Sequence, residues 1–150
     1  MKRILLSLLV MGLSLFANEF KIGDSIGSFS MLNQHDEKIT VDNKITKILV
    51  SFEKDTGAEI NEYLSNKYPL FLKNKNAIFI ANISEMPSII TKMFALPKMR
   101  KYKHDILLIY DEEDKRFSAK EELSTLYTLN NGVITDISYI TKDDLDRVFR

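Results

Sequence analysis

The sequence predicts an α/β domain: a mixed β-sheet, parallel at its centre, with a β-hairpin before it and a second hairpin and a final helix after it. Two observations carry this expectation. Three apolar runs, Ile48 to Phe52, Ala77 to Ile83 and Ile106 to Tyr110, alternate with helical patterns, which is the order of parallel strands joined by right-handed crossovers. Farther along, Asn130-Asn131-Gly132 separates two β-rich runs, and Asn-Gly in that setting marks a tight hairpin turn. With 150 residues, 45% of them hydrophobic and 28% charged, the chain fits one globular domain with an ordinary core.

The first seventeen residues stand apart from that domain. Lys2 and Arg3 precede an uncharged run from Ile4 to Phe16 that ends at the small residue Ala17, the layout of a secretory signal. Cleavage is expected after Ala17, which leaves residues 18–150 as a periplasmic domain. The run is short for crossing a bilayer, which takes about 20 residues. An uncleaved anchor is the alternative, because Leu15 is bulky for its place before the cut. Without the leader the chain carries 19 basic and 21 acidic side chains, a net charge near −2 that gives no long-range attraction to nucleic acid or to anionic membranes. The chain has no cysteine, so its stability must come from packing rather than from disulfides.

The elements follow in order. Phe29 and Met31, then Ile39 and Val41, alternate on either side of Asn33-Gln34-His35-Asp36-Glu37 and predict a hairpin. Ile48 to Phe52 reads as a strand covered on both faces. Gly57 is expected to turn the backbone sharply into an amphipathic helix carrying Ile60, Tyr63, Leu64 and Tyr68, which Pro69 stops. After the run Ala77 to Ile83, Ser84 and Pro87 signal a second helix, with Ile89, Ile90, Met93 and Phe94 on one face and Pro97 at its end. A basic loop from Lys98 to His104 then leads into Ile106 to Tyr110. Thr125 to Leu129 and Val133 to Ile140 form the closing hairpin. The last helix starts at Thr141, with Asp144 completing a capping box and Leu145, Val148 and Phe149 facing inward.

This order resembles the thioredoxin-like superfamily, in particular its exported peroxiredoxin-like and thiol-reductase-like domains, over roughly residues 22 to 149. The matching signals are Gly23-Asp24, Phe29-Ser30-Met31, Asn33-Gln34-His35-Asp36, Ser124-Thr125 and the Asn131-Gly132 turn. The resemblance implies a three-layer α/β/α fold. It also implies a redox site, and here the chain departs from it. Gly57 and Ile60 stand at the positions read as those of the two cysteines, and Ser124 where a cis-proline would face them. Thiol-disulfide exchange and thiol peroxidase chemistry need an attacking thiolate, so neither is expected. The bond from Leu123 to Ser124 is expected to be trans, since a non-proline cis bond costs about 2.5 to 4 kcal/mol.

Few other residues suggest chemistry. His35 and His104 are neighbours of Asp36 and Asp105 only in sequence, and read as an exposed hairpin residue and a loop residue before a strand. Metal delivery by the Sco-like relatives of this fold relies on two cysteines and a histidine. Met86, Met93 and Met99 fit a core stripe rather than a ligand set, so no obligatory metal is implied. No dinucleotide, P-loop or serine-hydrolase motif is present, and no cofactor is implied. Two candidate regions remain. One is the former active-site groove, with Asp55, Thr56, Gly57 and Ser124; the other is a basic docking loop with Lys98, Arg100, Lys101 and Lys103, suited to an acidic partner or to lipid headgroups, or else a solvated loop that Asp111 to Asp114 partly balance. The expected role is that of an exported binding or accessory protein whose partner is another exported or membrane protein, with the membrane itself a partner only if the leader is retained. The alternative is an enzyme with a non-thiol site built from Asp55, Thr56 and Ser124.

Overall fold

The early hairpin forms between β1 (Phe29–Leu32) and β2 (Lys38–Val41), antiparallel, with Phe29 opposite Val41 and Leu32 opposite Lys38. In the computed structural model, which describes residues 18–150, this hairpin is a separate two-stranded sheet. The leader and its proposed removal lie outside the described residues.

After the hairpin come β3 (Lys47–Ser51), helix α1 (Lys54–Ser65), the single turn α2 (Phe71–Asn74) and β4 (Ala77–Asn82). A continuous helical stretch follows, made of α3 (Ser88–Ile90), a π-helical turn (Thr91–Ala95) and α4 (Leu96–Met99). The chain closes with β5 (Leu107–Ile109), β6 (Ser124–Asn130), β7 (Val133–Ile140), a 3-10 turn (Lys142–Asp144) and α5 (Leu145–Val148). The main sheet has the order β5-β4-β3-β6-β7. Its first three strands are parallel and its last two antiparallel, with Val50 opposite both Ile80 and Thr125.

Alternation along the strands sends side chains to two apolar layers. Leu49, Phe79, Leu108 and Leu126 pack with Ile60 and Leu64 of α1, Leu96 of α4 and Leu145 of α5. Ile48, Val50, Ile80, Leu107 and Tyr127 pack on the opposite face with Met31 and Val41 of the hairpin and with Phe117. The sheet is thus the middle layer, helices on one side and the hairpin with its flanking segments on the other. The closing turn has Asn131 and Gly132 at φ 50° and 79°, the left-handed pair that a two-residue hairpin turn requires. The capping box is present, with the Asp144 carboxylate accepting the Thr141 backbone N–H at 3.0 Å. No cis peptide bond occurs among the described residues, Leu123 to Ser124 included.

Four local expectations need correction. Gly57 makes no sharp turn: α1 already begins at Lys54, and Gly57 lies within it without a positive φ. The helix ends at Ser65, ahead of Pro69, so Tyr68 lies beyond it and is exposed. The second helix begins at Ser88 rather than near Ser84, whose N–H and hydroxyl both donate to Asn82 Oδ1 in the turn after β4. Pro97 does not end that helix but sits in the first turn of α4, behind the π turn in which Leu96 N–H donates to the Thr91 carbonyl. A proline has no N–H to give and crowds the carbonyl four residues back, so the wider turn lets the helix run through it.

The π turn also decides which side chains face inward. Thr91 and Leu96, five residues apart, are buried. Ile89, Ile90, Met93 and Phe94 are left 63%, 42%, 62% and 65% exposed, so Met93 belongs to no core stripe, whereas Met86 and Met99 do pack against the core.

Candidate functional site

A groove of about 320 Å³ opens at the carboxyl ends of β3 and β4, between α1 and the helical stretch over residues 88–99. Carboxyl ends of parallel strands are where open α/β sheets place their ligands. Ser51, Ala81 and Asn82 come from the strand ends, Gly57, Ala58 and Asn61 from α1, and Ile90, Phe94 and Ala95 from the facing helix. Met86, Met99 and Tyr102 extend the apolar wall, and Glu53, Lys54 and Lys98 supply charge at its margins.

Gly57 is what lets α1 lie so close to β3. A Cβ built on it would come 3.1 Å from Ser51 Oγ, tighter than most real contacts. This is a demand for close approach, not for a special backbone angle. Ile60, one turn later, is 2% exposed in the core between α1 and the sheet. Gly57 and Ile60 are thus buried inside the helix, whereas thiols are activated at a helix's exposed N-terminus. That N-terminus lies at Glu53 to Thr56.

Glu53 is the N-cap residue of α1, but its side chain makes no capping bond to the helix. Its carboxylate instead accepts the backbone N–H of Glu122 at 2.9 Å, joining the start of α1 to the loop that precedes β6. Glu122 takes a left-handed backbone, φ 64°, to make this approach. The structure thus brings the segment just before Ser124 to the N-terminus of α1.

Of the residues singled out in the sequence, Gly57 lines the groove, whereas Asp55, Thr56 and Ser124 do not. Asp55 is exposed in the first turn of α1. Thr56 is buried and its hydroxyl donates to the Glu53 carbonyl at 3.1 Å. Ser124 is buried as the first residue of β6, paired with Ile140.

The basic segment divides in the same way. Lys98 lies in α4 and lines the groove, so the segment begins as a helix end rather than a loop. Arg100 is engaged with the hairpin, its Nε donating to the Gln34 carbonyl at 2.8 Å and its Nη2 lying 3.4 Å from Asp36 Oδ2. Lys101 and Lys103 are exposed.

Sequence reasoning missed the polar residues that hold this region in place. Gln34 is fully buried; its amide donates to the His104 carbonyl at 2.8 Å and its Oε1 accepts the Ile106 N–H at 2.8 Å. Asn33 Nδ2 donates to Asp105 Oδ1, while Asn33 Oδ1 accepts the N–H groups of His35 and Glu37. His104 is buried rather than a free loop residue, with Nε2 2.8 Å from Oδ1 of Asn61, a groove residue. Burial lowers its pKa to about 4, against a weaker upward pull from Asp105, and the oxygen of Asn61 beside Nε2 suits the tautomer that carries its proton there. His35 is exposed, as expected. The signal available beforehand was the Asn33-Gln34 pair, which reads as an ordinary turn until its partners some seventy residues later are known.

A second, polar cleft of about 670 Å³ lies along the same helical stretch, with Asp36, Arg100, Lys92, Glu85 and Tyr110 among its walls. Among the described residues no cluster of three or more His, Asp or Glu side chains is arranged to hold a metal ion.

The chain matches no protein-family model and no curated protein. Solved structures do resemble it. The thioredoxin domain of a thiol-disulfide oxidoreductase from Bacteroides vulgatus superposes with a TM-score of 0.54 at 16% identity, covering 87% of this chain and 96% of that one. A peroxiredoxin-like protein from Aquifex aeolicus gives 0.53 at 8% identity, with 89% and 86% covered. The peroxidoxin BcpB from Mycobacterium tuberculosis gives 0.52 at 12%, with 87% and 95% covered. A mixed sheet in this strand order, helices against it, a flanking hairpin and these superpositions together identify the fold of this cysteine-free chain as thioredoxin-like.

Proposed function

We propose that the protein is an exported, redox-inactive thioredoxin-like domain that binds another exported or membrane protein by seating an apolar segment of it in the groove between α1 and residues 88–99. The observation that carries this reading is the wall chemistry. At the strand ends where this fold offers a ligand site, the chain has no thiol and presents Ala58, Ile90, Phe94 and Met99 around a small polar floor. An apolar segment entering there would release water from these side chains, at about 25 cal/mol for each Å² buried. Asn61, Asn82 and Ser51 offer hydrogen-bonding groups to its backbone.

The enzymatic alternative gains less support. The Thr56 hydroxyl is engaged with a backbone carbonyl, and neither Asp55 nor Ser124 reaches the groove. Export rests on the basic start, uncharged run and small residue at position 17. No helix among the described residues is long and apolar enough to cross a membrane.

The test is site-specific photo-cross-linking in the native host. A photoreactive residue at Ala58, in the groove, should trap one defined partner polypeptide, and the same residue at the exposed Lys142 should not. Filling the groove by Ala95→Trp should abolish that adduct. Identical adducts from both positions, or an adduct that survives Ala95→Trp, would refute groove binding.

A further inference from the structure

The exposed apolar face over residues 89–94 is only partly explained by the groove. Ile90 and Phe94 line it, whereas Ile89 and Met93 do not, yet these last two are 63% and 62% exposed. An occupant of the groove would leave Ile89 and Met93 in water. Four large apolar side chains on one short helical stretch form a patch of the kind that marks an interaction surface.

Its surroundings are strongly biased in charge. From Met86 to His104 the chain has no acidic residue and five basic ones, although the domain after Ala17 is slightly acidic overall. Arg100 is occupied by the hairpin, but Lys98, Lys101 and Lys103 are exposed and take part in no ion pair among the described residues. Glu85 and Glu112 lie instead along the polar cleft, together with Lys92.

We propose that this helical stretch and the turn after it dock on an anionic phospholipid surface, with Ile89 and Met93 entering the headgroup-acyl boundary and Lys101 and Lys103, with Lys98 at the groove margin, contacting the phosphates. The pattern of a basic amphipathic helix with bulky apolar side chains on one face is that of a segment lying in the membrane interface rather than crossing it. Lysines suit this placement because their long stems stay on apolar surface while the ammonium groups reach the headgroups. The overall net charge supplies no long-range attraction, so binding depends on this local patch and weakens with salt. A fluid bilayer needs no matching pocket on the protein, and an acidic protein partner would have to supply one for Ile89 and Met93. Docking of this kind does not require the leader to be kept.

The experiment is co-sedimentation of the natively processed protein with lipid vesicles. Binding is expected to vesicles containing phosphatidylglycerol, and to fall by about tenfold or more on pure phosphatidylcholine or in high salt, as an electrostatic contribution requires. Ile89→Ser with Met93→Ser, and separately Lys101→Glu with Lys103→Glu, should each weaken binding by a similar factor while leaving the unfolding midpoint unchanged, because all four side chains are exposed. Ala95→Trp, which fills the groove, should leave vesicle binding intact, so the two proposals fail separately. Absence of binding, equal binding to neutral vesicles, or full binding by both double variants overturns the proposal. If Ile89→Ser with Met93→Ser instead abolishes a protein cross-link and no vesicle binding exists, the face belongs to a protein partner.

Discussion

Glu53 stands at the N-terminus of the helix after the first central strand, where the helix dipole favours negative charge. Its carboxylate accepts the Glu122 N–H and ties the start of α1 to the loop before β6. His104 is a second residue whose surroundings settle its role. In the folded protein its pKa is lowered from 6.5 to about 4 by burial, so the unfolded chain binds a proton that the native state refuses between those values. Stability is therefore full above about pH 6.5 and declines as the pH falls toward about 4, by an amount on the order of 3 kcal/mol if the ring alone is responsible. Urea unfolding at pH 7.5 and 4.5 should show this loss in the parent and a clearly smaller one in His104→Gln. An equal loss in both would assign the acid sensitivity to other groups.

At the scale of elements, the hairpin acts as a clamp. Gln34 links the turn between β1 and β2 to both sides of residue 105, through the His104 carbonyl and the Ile106 N–H, and Arg100 returns a bond to the Gln34 carbonyl. Gln34→Leu would leave a buried donor and a buried acceptor without partners, each costing about 1–3 kcal/mol. The expected result is destabilisation by about 3 kcal/mol, with faster amide exchange at Ile106 than at core strands such as β3, because the segment entering β5 loses its tether. Uniform acceleration across the sheet would show that Gln34 supports the whole fold rather than this segment. Strands and hairpins were legible beforehand because their cues are local: alternation at Phe29, Met31, Ile39 and Val41, and the Asn131-Gly132 turn. The helix over residues 88–99 was legible too, but not its bounds or its buried face, since a four-residue rhythm at Ile89, Ile90, Met93 and Phe94 suggests burial that the five-residue step from Thr91 to Leu96 reverses.

For the molecule as a whole, the thioredoxin-like shape of the fold comes without the cysteines that thiol exchange needs. The sheet brings the ends of β3 and β4 beside two helices and produces a groove there, with Ala58, Ile90, Phe94 and Met99 in its walls. Export has a direct readout at this scale: the protein isolated from its host should have the mass of a chain beginning at Asn18, whereas a mass that includes Met1 would mean the leader serves as an anchor.

The sequence by itself determined the class of fold, the order of its strands along the chain, and the impossibility of thiol chemistry, because periodicity, turn residues and the lack of cysteine are properties of neighbouring or counted residues. Only the tertiary structure decided which residues form the site. Asn61 meets His104, Gln34 meets Ile106 and Glu53 meets Glu122 across separations of 43, 72 and 69 residues, and the burial and hydrogen bonding that give these side chains their roles exist only once the sheet has brought them together.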